Sequence, residues 1–261
     1  MGAVISVLMM VLSTAVSCGA AEFTKATMTG TFLIEDGRPM SGALLFVYSQ
    51  STGPAPSIDK YWRVPDHSKY LNNDGSINTD IPEGIYYIGV VLRQSGAPRI
   101  GPPEAGDFFL ISLDESGAPK RHQVKKGEHL DLGTIRGARQ IKSHFVEAAT
   151  TAIEGSIQDA GGKPVEGAMV FAFLTPMVSG KPLFASESSS REGKFILALP
   201  EGGTYYIKVR DDFGGGPPVA GKLLDGDKKD PLPKVSVETG EKVQIGILKV
   251  KKFAGRGRKN K

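Results

Sequence analysis

Cysteine is nearly absent from this chain of 261 residues, which holds a single copy at Cys18. A lone cysteine excludes an internal disulfide, and with it the class of small secreted folds that several disulfides stabilise. Histidine is also scarce, with four copies. The formal net charge of +4 is too small and too dispersed to indicate a nucleic-acid-binding surface. We therefore expect neither a disulfide framework nor a nucleic-acid partner.

Several motifs that mark common enzymes are missing as well. The sequence contains no G-x-S-x-G element, no phosphate-binding P-loop and no C-x-x-C-H haem attachment site. Its longest glycine run, Gly214–Gly216, is followed by two prolines, which favour a turn over the helix N-terminus that a phosphate-binding loop requires. These absences argue against the common hydrolase, nucleotide-binding and c-type haem classes. We expect no enzyme activity, no catalytic residue and no cofactor.

The N-terminus is uncharged and largely apolar up to Cys18. Its apolar core, Ala3–Val11, has the length of a signal-peptide h-region and is shorter than the roughly 20 apolar residues of a membrane-spanning helix. We interpret residues 1–18 as a lipoprotein-type signal whose Cys18 becomes the lipidated first residue, although Ala15 replaces the usual leucine three positions before it. The alternatives are ordinary cleavage after Ala20, which would give a periplasmic or secreted protein, and an uncleaved anchor.

The sequence repeats itself, and glycine and proline are abundant, with 33 and 17 copies. Two stretches of the first half recur in the second: Gly30–Ser49 (GTFLIEDGRPMSGALLFVYS) as Gly155–Leu174 (GSIQDAGGKPVEGAMVFAFL), and Pro82–Val90 (PEGIYYIGV) as Pro200–Val209 (PEGGTYYIKV). An acidic-Gly turn, a Gly-Pro-Pro segment and a final Gly-Glu segment follow the same order in both halves. Such recurrence marks a repeat architecture. We infer two copies of one unit, over residues 24–137 and 150–252.

Each copy is predicted to be all-β. Leu44–Ser49 is apolar at odd and even positions alike, as expected of a strand that is buried on both sides. Tyr86–Leu92 and Tyr205–Val209 combine aromatic and β-branched residues between Gly and Pro, which is the usual composition of strands. Successive side chains of a strand point to opposite faces. In each Tyr-Tyr pair we therefore expect one ring in the core and the other facing outward.

Two segments fall outside the copies. We assign residues 138–149 to a linker, either a short helix or an extended segment. Residues 253–261 form a basic tail with almost no apolar side chain, a composition typical of disorder. The tail could contact anionic lipid, polysaccharide or a partner, or serve solubility alone.

The ordered markers resemble the carboxypeptidase regulatory-like domain, a small transthyretin-like β-sandwich. The shared pattern is a Gly-x-Pro turn, a Gly-Ala pair before an apolar strand, an acidic-Gly turn, and Pro-Glu-Gly before a Tyr-containing strand. The resemblance covers most of both copies and implies two tandem transthyretin-like or Ig-like sandwiches, but no particular function, because such folds host many roles. The residues that carry it are Gly30, Gly37, Pro39, Gly42, Ala43, Gly75, Pro82, Glu83, Gly84 and Tyr86, and Gly155, Gly162, Pro164, Gly167, Ala168, Gly193, Pro200, Glu201, Gly202 and Tyr205.

The resemblance also draws attention to His144 and Glu147, whose H-x-x-E spacing is half of the zinc motif of metallocarboxypeptidases. A zinc site needs a third protein ligand in a rigid setting, and the regulatory-like module is an appendage of those enzymes. We interpret the pair as solvated linker side chains. Asn72–Gly75 hints at a calcium loop, but Ile81 stands where an EF-hand has its glutamate. We predict a β-turn there and no metal site.

Only the first copy carries an insertion, at about Ser51–Leu71, which contains Tyr61, Trp62 and Tyr70. Trp62 is the single tryptophan of the chain. Aromatic rings on a loop of a β-sandwich can stack on sugars or fill a pocket of a protein partner. These three are our candidate binding residues. The alternative is that Trp62 folds back and seals its own insertion.

These observations predict a non-enzymatic lipoprotein of the bacterial cell envelope whose two sandwiches form a protein-interaction or scaffold module. The expected partners are the membrane, through the lipid on Cys18, and an envelope protein or a glycan. Gly19 is not the aspartate that often retains lipoproteins at an inner membrane, which favours the outer membrane or the cell surface. Two alternatives remain open: a glycan- or polymer-binding module that uses the Trp62 loop, and an accessory domain of a peptidase system.

Overall fold

The computed structural model describes residues 25–57, 59–95, 100–142, 150–177, 180–211, 213, 220–224 and 231–253. Sixteen strands run through these residues, and none of the described residues is helical. The all-β prediction is confirmed, and the strands assemble into β-sandwiches. The signal segment with Cys18 and the tail from residue 254 onward lie outside the described residues.

Eight strands build the first half: β1 (Ala26–Ile34), β2 (Leu44–Ser49), β3 (His67–Tyr70), β4 (Ser76–Ile81), β5 (Gly84–Leu92), β6 (Phe108–Ile111), β7 (His122–Val124) and β8 (His129–Gln140). They follow one sheet path, β3-β2-β5-β6-β8-β1-β4, and β7 pairs with the start of β5. β1 and β8 are parallel, and their neighbours are antiparallel. The path turns over where β6 meets the end of β8. As a result, β3-β2-β5 and β4-β1-β8 enclose a common core.

Eight strands also build the second half: β9 (Thr151–Asp159), β10 (Met169–Phe173), β11 (Phe184–Ala185), β12 (Lys194–Leu199), β13 (Gly203–Arg210), β14 (Leu223–Leu224), β15 (Lys234–Val237) and β16 (Lys242–Lys252). They form two sheets, β11-β10-β13-β15 and β12-β9-β16-β14. The parallel pair β1–β8 has its counterpart in β9–β16, and the antiparallel pairs β1–β4, β2–β3, β2–β5 and β5–β7 recur as β9–β12, β10–β11, β10–β13 and β13–β15.

Equivalent glycine turns lead into β4 in the first half and into β12 in the second. Gly75 and Gly193 both have φ +75°, a conformation that favours glycine. A Cβ on Gly75 would lie 2.7 Å from Phe32 O, and one on Gly193 would lie 2.4 Å from Ile157 O. The amide of Gly75 donates to Asn72 O at 3.0 Å, which closes the predicted β-turn. Both turns therefore require the backbone conformation and the close approach that glycine allows.

The repeated Pro-Glu-Gly sequence leads to a tyrosine that fixes the start of the following strand. Tyr86 Oη donates to Pro82 O at 3.1 Å, and Tyr205 Oη donates to Glu201 O at 3.0 Å. In both copies the acceptor is the carbonyl four residues upstream, an arrangement similar to the tyrosine corner of β-sandwiches. Burial raises the pKa of both phenols, so the hydroxyl groups remain protonated donors.

Apolar side chains form three separate cores: one inside each sandwich and a third, the intervening core, between the two copies. Strand β2 serves two of them. Leu45 and Val47 point into the first sandwich, whereas Leu44, Phe46 and Tyr48 point into the intervening core. The equivalent residues of β10 divide in the same way: Val170 and Ala172 inside the second sandwich, and Met169, Phe171 and Phe173 in the intervening core. These two strands are apolar on both faces because one face packs inside its own sandwich and the other packs against the other copy.

The intervening core determines whether the outward ring of each Tyr-Tyr pair is exposed. In the first copy both rings are buried, Tyr86 at 4% and Tyr87 at 5% exposure. Tyr87 points away from its own sandwich, as the alternation predicts, but the second copy covers that face, so its ring is not exposed to solvent. In the second copy Tyr205 is buried and Tyr206 is partly exposed at the margin of the intervening core.

The first copy also extends beyond its predicted end. Strand β8 continues to Gln140, and Ala138 is fully buried in the first sandwich. Residues 138–140 therefore belong to the sandwich, and their assignment to the linker was wrong. Residues 143–149, with the H-x-x-E motif, lie outside the described residues, so the choice between a short helix and an extended linker stays a prediction.

Candidate interaction surfaces

The insertion of the first copy joins β2 to β3 over residues 50–66, and its tryptophan is buried. Trp62 is 2% exposed. Its ring centroid lies 5.3 Å from that of Phe46, edge-on, and 6.2 Å from that of Phe109. Such geometries favour aromatic pairs. Trp62 is therefore part of the intervening core, and its faces are not available to a sugar or a partner's pocket. Its burial agrees with the alternative interpretation, in which Trp62 seals the insertion.

Tyr61, the second candidate, connects the insertion to the other copy. Its hydroxyl donates to Ala55 O at 2.5 Å, and its ring meets Phe184 edge-on at a centroid distance of 5.7 Å. Burial is the main cause that raises the pKa of this phenol. Tyr61 thus contacts its own loop through the hydroxyl and the second sandwich through the ring.

The backbone of the insertion extends a sheet of the second copy. Val64 N donates to Leu183 O at 2.9 Å, and Ala185 N donates to Trp62 O at 3.2 Å. Residues 62–64 thus lie as a short additional strand along β11, the end strand of its sheet. Pairing of an extended segment with a free sheet edge is a common recognition mode, and here it occurs within one chain. It satisfies an edge that would otherwise be open.

A buried guanidinium fixes the shape of this insertion. Arg63 is 1% exposed, and its nitrogens donate to Ser49 O at 2.5 Å, Thr52 Oγ1 at 2.7 Å and Asp66 Oδ2 at 3.0 Å. Its guanidinium carbon lies 5.5 Å from the ring centre of Tyr48. Burial lowers the pKa of Arg63 and the Asp66 carboxylate opposes that shift, so the group stays charged. Sequence reasoning missed this pair; the available signal was two opposite charges three residues apart within an aromatic stretch.

Tyr70, the third candidate, lies on the surface. All four residues of β3 are exposed, and Tyr70 is 51% exposed. β3 ends the sheet path of the first copy, so its outer edge has no neighbouring strand in the described part of the chain. Of the three predicted binding residues, Tyr61 and Trp62 contribute to the intervening core, and Tyr70 keeps an accessible ring.

A cleft separates β3 from β4, the two ends of the sheet path, and Lys69 spans it. Lys69 Nζ donates to Asn78 O at 2.8 Å. The cleft has a volume of about 170 Å³, with an apolar floor and a polar rim. The floor consists of Leu45, Val47 and Ile81, and the rim of His67, Ser68, Lys69, Thr79 and Asp80.

A buried serine–histidine pair, which sequence reasoning did not single out, lies beside β5 of the first sandwich. Ser112 Oγ lies 3.1 Å from His122 Nε2, and both residues are buried. Burial, and secondarily Lys120, lowers the pKa of His122 to about 4, so the imidazole is neutral near pH 7. A nucleophile must reach its substrate. The enclosure of both side chains fits a packing role better than catalysis.

The described residues hold neither a cluster of metal ligands nor an apolar helix long enough to span a membrane. They contain no group of three or more His, Cys, Asp or Glu side chains placed to hold a metal ion.

Comparisons with known proteins leave the chain without a family assignment. No family model matches it, and no curated protein matches it. Among solved structures it is similar to the TIE protein of Bacillus anthracis, at 17% identity and a TM-score of 0.26 over 88% of this chain and 34% of that one. It is also similar to a streptococcal ancillary pilin, at 15% identity and 0.26 over 91% and 64%, and to the major pilin RrgB of Streptococcus pneumoniae, at 8% and 0.27 over 89% and 49%. The chain thus spans between about a third and two thirds of these proteins. At these identities and TM-scores the similarities identify neither a family nor a function.

Proposed function

We propose that this chain is a non-enzymatic protein of the bacterial cell envelope that acts as a rigid two-sandwich scaffold for protein contacts. The observation that carries the proposal is the intervening core. Phe46, Trp62 and Phe171 are all buried between the copies, and the backbone of residues 62–64 pairs across them. A large apolar contact between domains opposes their relative motion. The aromatic-rich insertion of the first copy thus serves the cohesion of the two copies.

The rigidity can be tested with two spin labels, one on each copy. Glu115 and Lys163 are exposed in the first and second copy, and both would be replaced by cysteine in a chain that starts at Ala21 and so lacks Cys18. Electron–electron double resonance is expected to give one narrow distance distribution. A broad distribution would show two independently moving sandwiches and would contradict the scaffold proposal. A pull-down from detergent-solubilised envelope then identifies the proteins that the scaffold holds.

The membrane partner in this proposal is the lipid on Cys18. Seven residues, 19–25, connect Cys18 to β1, which begins at Ala26. Fully extended, they span about 25 Å, so a lipidated chain would hold its first sandwich close to the bilayer surface. The intact mass of the membrane-extracted protein should show a diacyl or triacyl modification that is absent from Cys18→Ala. An unmodified N-terminus at Ala21 would favour a periplasmic or secreted protein instead.

The carboxypeptidase regulatory-like resemblance belongs to the same proposal. Two of its marker positions have matching roles in both copies: the turn glycines Gly75 and Gly193, and the hydroxyl-bonded tyrosines Tyr86 and Tyr205. These matching roles support a common origin of the two copies. They do not favour an accessory role in a peptidase system over any other role.

Glycan binding is the second candidate function, and the exposed ring of Tyr70 favours it. With Trp62 buried, Tyr70 is the predicted binding residue that could stack on a sugar. Isothermal titration against envelope polysaccharides should give heat with the unmodified chain and none with Tyr70→Ala. Leu113→Ala, at another exposed apolar side chain of the first copy, is the matched control. Absence of heat for every polysaccharide would rule this function out.

A further inference from the structure

The outer edge of β3 presents free backbone groups. Leu71 N donates to Ala43 O at 2.8 Å, so Leu71 is a position whose backbone groups face β2. By the alternation of the antiparallel ladder, Lys69 and His67 are the next such positions. Because these positions alternate in an antiparallel pair, Ser68 and Tyr70 turn their N–H and C=O groups away from β2. The first copy therefore offers a short edge to which a further strand can be added.

Strand β4 presents a second edge across the cleft. Phe32 N donates to Gly75 O at 3.0 Å, so the same alternation turns the backbone groups of Asn78 and Asp80 away from β1. The outward carbonyl of Asn78 is the one that accepts the hydrogen bond from Lys69 Nζ. The lysine ammonium thus stands where the N–H of an added strand would donate.

The reach of Lys69 indicates the width of the gap. Directly paired strands lie about 4.8 Å apart, whereas here a whole lysine side chain and a hydrogen bond lie between β3 and β4. A gap of this width accommodates one additional strand. Its floor is apolar, because Leu45, Val47 and Ile81 face the sandwich core from the two flanking sheets.

The second copy shows what an edge of this kind accepts. β11 stands beside β10 as β3 stands beside β2, and its outer edge pairs with the extended residues 62–64. One of the two equivalent edges is therefore occupied by a segment of the other copy. The equivalent edge at β3 has no such segment among the described residues.

We propose that the cleft between β3 and β4 receives an extended, acidic segment of another protein, which pairs with β3 and places an apolar side chain on the cleft floor. His67 and Lys69 pair with Val47 and Leu45, so their side chains lie on the cleft side of β3. Asp80 of the rim alternates with the core-facing Ile81, so its side chain lies on the outer face of β4. A carboxylate of the incoming strand replaces Asn78 O as the partner of Lys69. The inference rests on the proposed scaffold function and names the place of one of its contacts.

A second copy of the chain is the competing occupant, and the charge of β3 disfavours it. Antiparallel pairing of two β3 edges would set Lys69 opposite, or close to, its counterpart. Like charges across a strand pair are destabilising, and inward-pointing lysines are a common protection of sheet edges against self-association. The lysine that opposes self-pairing is the same group that attracts an acidic strand.

The probe is the peptide acetyl-Val-Thr-Glu-Thr-Val-amide, whose valines and glutamate share one face in a strand. Titrated into the ¹⁵N-labelled chain, it is expected to shift amide signals of β3 and β4 and to slow hydrogen exchange at Ser68 and Tyr70. The peptide with lysine in place of glutamate should bind about threefold more weakly, the effect of one cross-strand charge pair. Shifts centred elsewhere, or equal affinity of the two peptides, would overturn the proposal.

A proline exchange separates edge pairing from general loss of structure. Ser68→Pro removes an outward N–H, a change that edge strands tolerate, and should abolish binding while the circular dichroism spectrum is unchanged. Ile196→Pro is the matched control, since Ile196 of β12 occupies the position that Asn78 has in β4. Binding that survives Ser68→Pro, or a concentration-dependent dimer that Ser68→Pro dissolves, would overturn the acidic-segment proposal. Neither result depends on the spin-label distances, which test the rigid scaffold separately.

Discussion

The two copies share most of their strand pairing, and the connection between their second and third strands differs in length and in burial. In the first copy this connection, residues 50–66, buries Trp62 and Arg63 and pairs with the second copy. In the second copy the shorter connection, residues 174–183, leaves Leu174 and Met177 more than half exposed. The repeated elements thus build two similar sandwiches, and the unrepeated insertion binds them together. Trp62, which has no counterpart in the second copy, makes its contacts in the intervening core between the copies.

Loss of the Trp62 ring should uncouple the two copies, and its expected effect on stability is the largest of those predicted here. Trp62→Ala is expected to lower the free energy of unfolding by about 3–5 kcal/mol, as for other large core truncations. Each sandwich keeps its own core, so denaturation should split into two transitions. Urea unfolding followed by circular dichroism measures both effects. Trp62→Phe retains a ring and serves as the control; a single transition with little loss in Trp62→Ala would show that the intervening core does not couple the copies.

Acid should destabilise the first copy more than the second, because the first has His122 at the position where the second has Val235. His122 is paired with Tyr86 as Val235 is paired with Tyr205. Burial lowers the pKa of His122 from 6.5 to about 4. Above pH 6.5 this site is neutral in both the folded and the unfolded state. As the pH falls from 6.5 to 4, the unfolded state binds the proton first, so the first sandwich loses stability, by at most about 3 kcal/mol.

His122→Val gives the first copy the residue of the second and should remove this part of the pH dependence. Ser112 then loses its partner at every pH, which costs about 1 kcal/mol and leaves the slope unaffected. The measurement is the urea midpoint at pH 7 and at pH 4.5 in both chains. Equal changes between the two pH values would show that His122 does not titrate as a buried group.

Local features of this fold were open to prediction from sequence, and relations between the copies were not. The turn at Asn72–Gly75 and the strands around the Tyr-Tyr pairs depend on conformational preferences of a few adjacent residues. Whether the Tyr87 ring is buried depends on what covers the outer face of β5, and the alternation of side chains along a strand does not contain that information. The insertion around Trp62 likewise has the composition of a binding loop, and it is held against the second copy by the pairing of Trp62 with Ala185 and of Val64 with Leu183, far along the chain.

The equivalent turn glycines allow the backbone strain of the two copies to be compared directly. Gly75→Ala and Gly193→Ala should each cost about 2–3 kcal/mol, because alanine is strained at positive φ and its Cβ would meet a carbonyl oxygen. Gly193→Ala should be the worse of the two, since its contact is the shorter. Gly167→Ala is the control: φ is +79° there but no atom lies within 4 Å of the added Cβ, so a loss of about 1 kcal/mol is expected. Thermal unfolding ranks the three, and equal losses would mean that conformational strain alone decides.

The repeated tyrosines carry the smallest expected effect and the most direct test of equivalence. Tyr86→Phe and Tyr205→Phe each remove one hydroxyl that donates to the carbonyl four residues upstream, at 3.1 and 3.0 Å. Each change should cost about 1 kcal/mol, the net value of a buried hydrogen bond. Because the two sites lie in separate cores, the losses should add in the double variant. A loss confined to one copy, measured by urea unfolding, would mean that the Pro-Glu-Gly sequence recurs without a common structural role, and that the copies are less alike in energy than in pairing.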